Sequence, residues 1–134
     1  MAEAKARILC VEDNRDSREM ISSLLEQSNQ NYQVTAVETA AEALALNGKN
    51  MFDLYILDIW LPGMDGVELC RRLRERGVTT PIIFFSAMGV QAKDRDYVLS
   101  AGADDFLVKS IDLDRFTDTV ERLLTRGSES EDTA

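Results

Sequence analysis

The chain has 134 residues, no histidine, and a formal charge of −9 from 24 acidic and 15 basic side chains. Its length suits one domain around one core. The missing histidine excludes Ser-His-Asp and Cys-His sites, histidine-ligated zinc and a phosphohistidine. The negative charge argues against direct nucleic-acid binding, whose affinity comes mostly from cationic contacts to phosphate. No apolar run approaches the ~20 residues of a membrane span, so no membrane partner is expected. Met1 to Arg7 carries charges of both signs where a signal peptide would be apolar. These features predict a cytoplasmic protein with two buried free thiols, Cys10 and Cys70.

The first apolar run is Ile8–Val11, followed by a helical pattern with Met20, Ile21, Leu24 and Leu25 on one face. A second run, Tyr32–Val37, partly alternates, as an edge strand with one wetter face should. Ala40 to Leu46 reads as a helix stopping at Asn47-Gly48. The third run is Leu54–Leu57, and Val67, Cys70 and Leu73 then repeat at helical spacing up to Gly77. Arg71, Arg72, Arg74 and Arg76 on that helix read mainly as a solvated face, with partner docking the other reading. The fourth run, Ile82–Phe85, precedes a weaker helical pattern of Val90, Tyr97, Val98 and Ala101. Phe106–Val108 is the fifth run, and Leu113, Phe116, Val120, Leu123 and Leu124 mark a fifth helix. From Gly127 the acidic text lacks apolar periodicity. Residues 1–125 are therefore expected as one domain and 126–134 as an acidic disordered tail or linker stub.

Five strand–helix repeats call for right-handed crossovers. The expected fold is α/β, a five-stranded parallel sheet in the flavodoxin-like order 2-1-3-4-5 with helices on both faces. That order puts the alternating second strand at an edge. A closed barrel would need eight such units.

Ligands of such sheets bind beyond the carboxyl ends of the strands. Glu12 and Asp13 follow the first run, Asp58 the third, Ser86 the fourth and Lys109 the fifth. The edge run is followed only by Glu38, expected at a helix start. Two charges ~5 Å apart at an effective dielectric of ~20 repel by about 3 kcal/mol. Three converging carboxylates therefore call for protonation or a cation, and an all-oxygen set points to Mg²⁺. Lys109 adds a second positive charge. A carboxylate so flanked can attack phosphorus. Each group alone has a plainer reading: Asp13 or Asn14 as a helix cap, Asp58 as a turn residue, Ser86 as a cap, Lys109 as a surface lysine. Those readings do not explain why the first, third, fourth and fifth strands all end in matching polar groups.

Four blocks carry a family likeness. They are Ile8-Leu9-Cys10-Val11-Glu12-Asp13-Asn14, the stretch from Asp53 to Gly66 containing Asp58 and Pro62-Gly63, Ile82-Ile83-Phe84-Phe85-Ser86-Ala87, and Ala101-Gly102-Ala103-Asp104-Asp105-Phe106-Leu107-Val108-Lys109. In this order and spacing the chain resembles the receiver domains of two-component response regulators, from about Arg7 to Leu124. The resemblance implies that Asp58 is the phosphoacceptor, taking its phosphoryl group from a sensor histidine kinase or a histidine phosphotransfer protein. Glu12, Asp13, Asp58 and the backbone carbonyl of Trp60 would hold Mg²⁺. Ser86 and Lys109 would contact the phosphoryl group. Phe106 would turn inward with Ser86, changing the surface of the fourth helix, fifth strand and fifth helix. Trp60 and Met88 would flank the approach of hydrolytic water. A downstream output protein or a lost output domain would read the change. The expected role is a signalling switch rather than an enzyme. The sequence departs from the common pattern at Ser110, where proline usually follows the lysine, at the bulky Trp60, and at Phe106, which lacks a tyrosine's hydroxyl.

A Mg²⁺-dependent phosphohydrolase would resemble its relatives in an Asp-x-Asp after the first strand, absent here. A dinucleotide binder would carry Gly-x-Gly-x-x-Gly there. A receiver-like interaction module working without phosphorylation is the alternative, although such modules typically lose the acids retained here.

Overall fold

The computed structural model describes the backbone of residues 5–87 and 92–132, and the side chains of 5–87 and 95–125. The elements alternate as β1 (Ala6–Val11), α1 (Arg15–Ser28), β2 (Tyr32–Val37), α2 (Ala40–Asn47), β3 (Leu54–Leu57), α3 (Gly66–Glu75), β4 (Ile82–Ser86), α4 (Ala92–Leu99), β5 (Asp105–Val108) and α5 (Leu113–Asp132). The strands form one parallel sheet in the order β2-β1-β3-β4-β5. The half-buried β2 lies at an edge, as its alternation predicts.

The unbroken apolar runs reflect burial on both faces. Leu9, Val11, Tyr55, Leu57, Ile82, Phe84 and Phe106 point to a core shared with α2, α3 and α4. Ile8, Cys10, Leu54, Ile56, Ile83, Phe85 and Leu107 point to the opposite core, closed by Ile21, Leu25, Phe116, Val120 and Leu123 of α1 and α5. Phe85 and Phe116 stack with centroids 4.3 Å apart and dock α5 on the sheet, a contact worth about 0.5–1.5 kcal/mol beyond the area it buries. Cys10 and Cys70 are free and buried, as expected. Among the described residues no helix is long and apolar enough to cross a membrane.

Two local expectations need correction. The α3 arginines lie mostly on a solvated face, as expected, and Arg74 is the exception. Arg71 and Arg72 pair with Glu68 of their own helix. Arg74 turns inward to the carbonyls of Gly102, Val78 and Thr80 and pairs with Asp104, while Arg76 reaches Leu44 O and Asn47 Oδ1. Carbonyls left open at element ends attract the nearest long cations, which a linear reading does not see. Glu38 does not start α2. Thr39 caps that helix, accepting from Glu42 N, and Glu38 pairs with Arg18. The backbone of α5 is helical through Asp132. Once a helix is anchored, each added residue gains a hydrogen bond without a new nucleation cost. In the fourth helical pattern Val98 and Ala101 are buried, Tyr97 is exposed, and Val90 lies outside the described residues.

Candidate functional site

The sheet ladder continues one residue past three of the strands. Glu12 N donates to Val37 O at 3.0 Å, Asp58 N to Val11 O at 3.0 Å, and Lys109 N to Ser86 O at 2.8 Å. The polar residues at the strand ends are thus held by the same hydrogen bonds that hold the sheet. Carboxylate oxygens of Glu12, Asp13 and Asp58 lie within 4.8 Å of one another. Such an oxygen cluster fits a hard divalent cation that keeps several waters.

The helix cap is Asn14. Its side chain accepts from Ser17 N at 2.9 Å. The capping position is therefore filled, and the Asp13 carboxylate stays with the cluster. Arg18, one turn further along α1, donates to the carbonyls of Glu12 and Asp13, both at 3.0 Å. It fixes the backbone of the acidic pair while its charge offsets theirs.

Asp58 is buried, with 7% of its surface exposed. Burial raises its pKa above the usual carboxylate range and outweighs the Ser86 hydroxyl and the Trp60 and Ile59 amides, which lower it, while Asp13 adds a further upward push. Trp60 N donates to Asp58 Oδ1 at 3.3 Å, so Asp58 is also the turn residue that its position before Pro62-Gly63 allows. Gly66 packs against this loop. A Cβ there would fall inside contact distance of the Asp58 carbonyl oxygen and 2.9 Å from Ile59 Cα, and Gly66 N donates to Ile59 O at 2.9 Å.

Lys109 is no surface lysine. It is 10% exposed and its ammonium pairs with the buried Glu12 carboxylate. Burial lowers its pKa, with Cys10 acting weakly the other way. Cys10 itself is pushed up to about 12 by burial, so the thiol stays neutral beside the acids. Ser86 caps no helix. Its hydroxyl is fully buried, lies near enough to Asp58 to favour that carboxylate, and has no partner within normal hydrogen-bond geometry among the described residues. An orphaned buried hydroxyl at the pocket has a donor to offer an incoming oxygen.

Residues 8–121 match the sequence model of the response regulator receiver domain. The chain belongs to the receiver domain family of response regulators. Among similar proteins, the transcriptional regulatory protein ResD of Bacillus subtilis is 36% identical over 94% of this chain and 51% of its own length. The response regulator MprA of a Mycobacterium species is 38% identical over 93% of this chain and 53% of its own. The chain thus spans about half the length of the curated relatives it matches. A CheY-like receiver domain protein of Methanospirillum hungatei superposes with a TM-score of 0.85 at 25% identity, covering 95% of this chain and 99% of that one. The response regulator TrrA of Thermotoga maritima, solved in complex with Mg²⁺-BeF, gives 0.77 at 32% identity, covering 88% and 98%.

In this receiver, Phe106 lies inward at 2% exposure beside Phe84, with ring centroids 6.5 Å apart. The Trp60 side chain is 58% exposed, and Met88 lies outside the described residues. No described peptide bond is cis, so Lys109 and Ser110 are joined by a trans bond. The turn into α5 is closed by Asp112 instead. Its side chain accepts from Val108 N at 2.9 Å and its N–H donates to Val108 O at 2.7 Å. Sequence reasoning assigned no role to Arg18, Gly66 or Asp112. Only Asp112 left a usable signal there, an acid just after a lysine that lacks its usual proline.

Proposed function

We propose that this receiver domain is a phosphorylation-dependent switch in a two-component phosphorelay, with Asp58 as phosphoacceptor and residues 1–125 as the switching unit. The observation that carries the reading is the convergence of Glu12, Asp13, Asp58 and Lys109 at the carboxyl ends of neighbouring strands. An Asp58 carboxylate oxygen would attack the phosphorus of a phosphohistidine on a sensor histidine kinase or phosphotransfer protein. A P–O bond forms, the P–N bond breaks, and the imidazole leaves with the electron pair. Glu12, Asp13, Asp58 and the Trp60 carbonyl would hold Mg²⁺, which when bound supplies charge neutralisation for the transferring group. Lys109 would exchange Glu12 for a phosphoryl oxygen, and the Ser86 hydroxyl would donate to another.

Seating Ser86 on the phosphoryl group favours the inward Phe106, and the surface of α4, β5 and α5 follows as a two-state element. Trp60 and Met88 would govern the approach of water to the phosphorus. The chemistry is self-catalysed acceptance and slow autodephosphorylation, not turnover of a substrate. A downstream output protein, or an output domain in a longer chain, would read the switch.

Intact mass spectrometry with Mg²⁺ and acetyl phosphate tests the assignment. Wild type should gain one acid-labile phosphoryl group and Asp58→Asn none. Equal labelling of the two proteins would move the acceptor off Asp58, and no label on either would leave a receiver-like interaction module.

A further inference from the structure

Phe106 is held from three directions by groups of α4 and β5. Its N–H donates to Asp105 Oδ1 at 2.8 Å. Its carbonyl accepts from Arg95 Nη2 at 3.4 Å, and the Arg95 guanidinium lies over its ring, 5.6 Å from the centroid. That distance is inside the roughly 6 Å at which a cation is attracted to an aromatic face. The same guanidinium lies 3.7 Å from Asp105, whose other oxygen meets Arg122 of α5 at 3.4 Å. Arg95 is 46% exposed, so its charge retains part of its hydration while it lies over the ring. None of these contacts involves Asp58 or requires a group bound to it.

We propose that Arg95 is a positioning residue that presets the switch, holding Phe106 in its buried position through a cation–π contact with its ring and a hydrogen bond to its carbonyl. This rests on the reading of Phe106 as the switch aromatic. A ring that is already inward removes part of the reorganisation that phosphoryl transfer would otherwise have to drive. If only the inward form accepts the phosphoryl group well, the observed rate scales with the population of that form. Arg95 therefore raises receptivity to any phosphodonor and couples α4 to β5 before the signal arrives. Lysine cannot substitute fully, because an ammonium lacks the flat face that stacks on a ring.

The test uses the full chain labelled with para-fluorophenylalanine, without phosphodonor, with the Phe106 signal assigned through Phe106→Leu. Fluorine NMR in light and heavy water reports whether the ring is solvated. Wild type should show a buried ring, Arg95→Ala a solvated one, and Arg95→Lys an intermediate average. Arg122→Ala, which removes the other partner of Asp105 but not the ring contact, should leave the ring buried. Asp58 phosphorylation by acetyl phosphate should then slow several-fold in Arg95→Ala. A ring that stays buried in Arg95→Ala overturns the proposal, as does equal release by Arg122→Ala, which would assign the effect to Asp105. Release with an unchanged phosphorylation rate overturns the coupling. A wild type that takes no phosphoryl group overturns the acceptor assignment, while the ring signal still decides whether Arg95 holds Phe106.

Discussion

Lys109 pairs with Glu12, not with Asp58. The lysine closing β5 thus neutralises an acid at the end of β1 and bridges the sheet across β3 and β4. Breaking a buried pair by removing one partner leaves an uncompensated charge. Lys109→Ala should therefore cost roughly 3 kcal/mol without metal. Mg²⁺ should restore more stability to this variant than it adds to wild type, because Glu12 then lacks its cation. Chemical denaturation with and without Mg²⁺ reads both effects, and an equal Mg²⁺ increment in the two proteins would remove Glu12 from the metal site.

Asp58 sets a pH dependence. Burial raises its folded-state pKa, so the charged form is disfavoured by folding. Its contribution is then most favourable below the unfolded aspartate value of about 3.9 and is lost as pH rises through the higher folded value. In metal-free protein, Asp58→Asn should melt higher than wild type at neutral pH. The gap should close as pH falls into the acid range. A gap that widens toward low pH would mean that Asp58 is stabilised as a carboxylate.

Mg²⁺ itself should stabilise the native state through RT ln(1 + [L]/Kd), since it relieves repulsion among the three acids. Asp13→Asn should lose most of that gain and melt higher than wild type when metal-free. Asp13 can be spared from capping because Asn14 fills the role. An unchanged Mg²⁺ effect on the melting temperature of Asp13→Asn would take Asp13 out of the site.

Gly66→Ala and Asp112→Ala probe the support of the site. The first forces a Cβ against the Asp58 carbonyl and should cost about 1–3 kcal/mol by overpacking, with slower phosphorylation. The second removes the acceptor of Val108 N and should cost about 1 kcal/mol, while Asp112→Asn, which keeps an acceptor oxygen, should recover most of it. Urea melts paired with acetyl phosphate labelling measure stability and site geometry separately.

Trp60 is the sole tryptophan, two residues from Asp58 and largely exposed. Neither an indole nor a thioether can serve as a base for water. A large ring beside the phosphoryl group would shield it from water without assisting attack, so Trp60→Ala should shorten the phospho-Asp58 half-life several-fold; a tenfold change needs only about 1.4 kcal/mol. Mg²⁺ affinity should change little, because the proposed ligand is a backbone carbonyl. Identical phosphate release from both proteins would mean that the ring points away from the water path.

The sequence alone determined the elements, their order and the polar groups at four strand ends, because burial on both faces leaves unbroken apolar runs and ligands collect beyond strand termini. Cys10 and Cys70 as buried thiols and β2 as an edge strand were legible for the same reason. The tertiary structure alone decided who pairs with whom. Lys109 and Glu12, Arg74 and Asp104, and Arg95 over Phe106 are partners distant in the chain or chosen among equals. A charge run reads alike whether it faces water or an orphaned carbonyl, and only packing distinguishes the two.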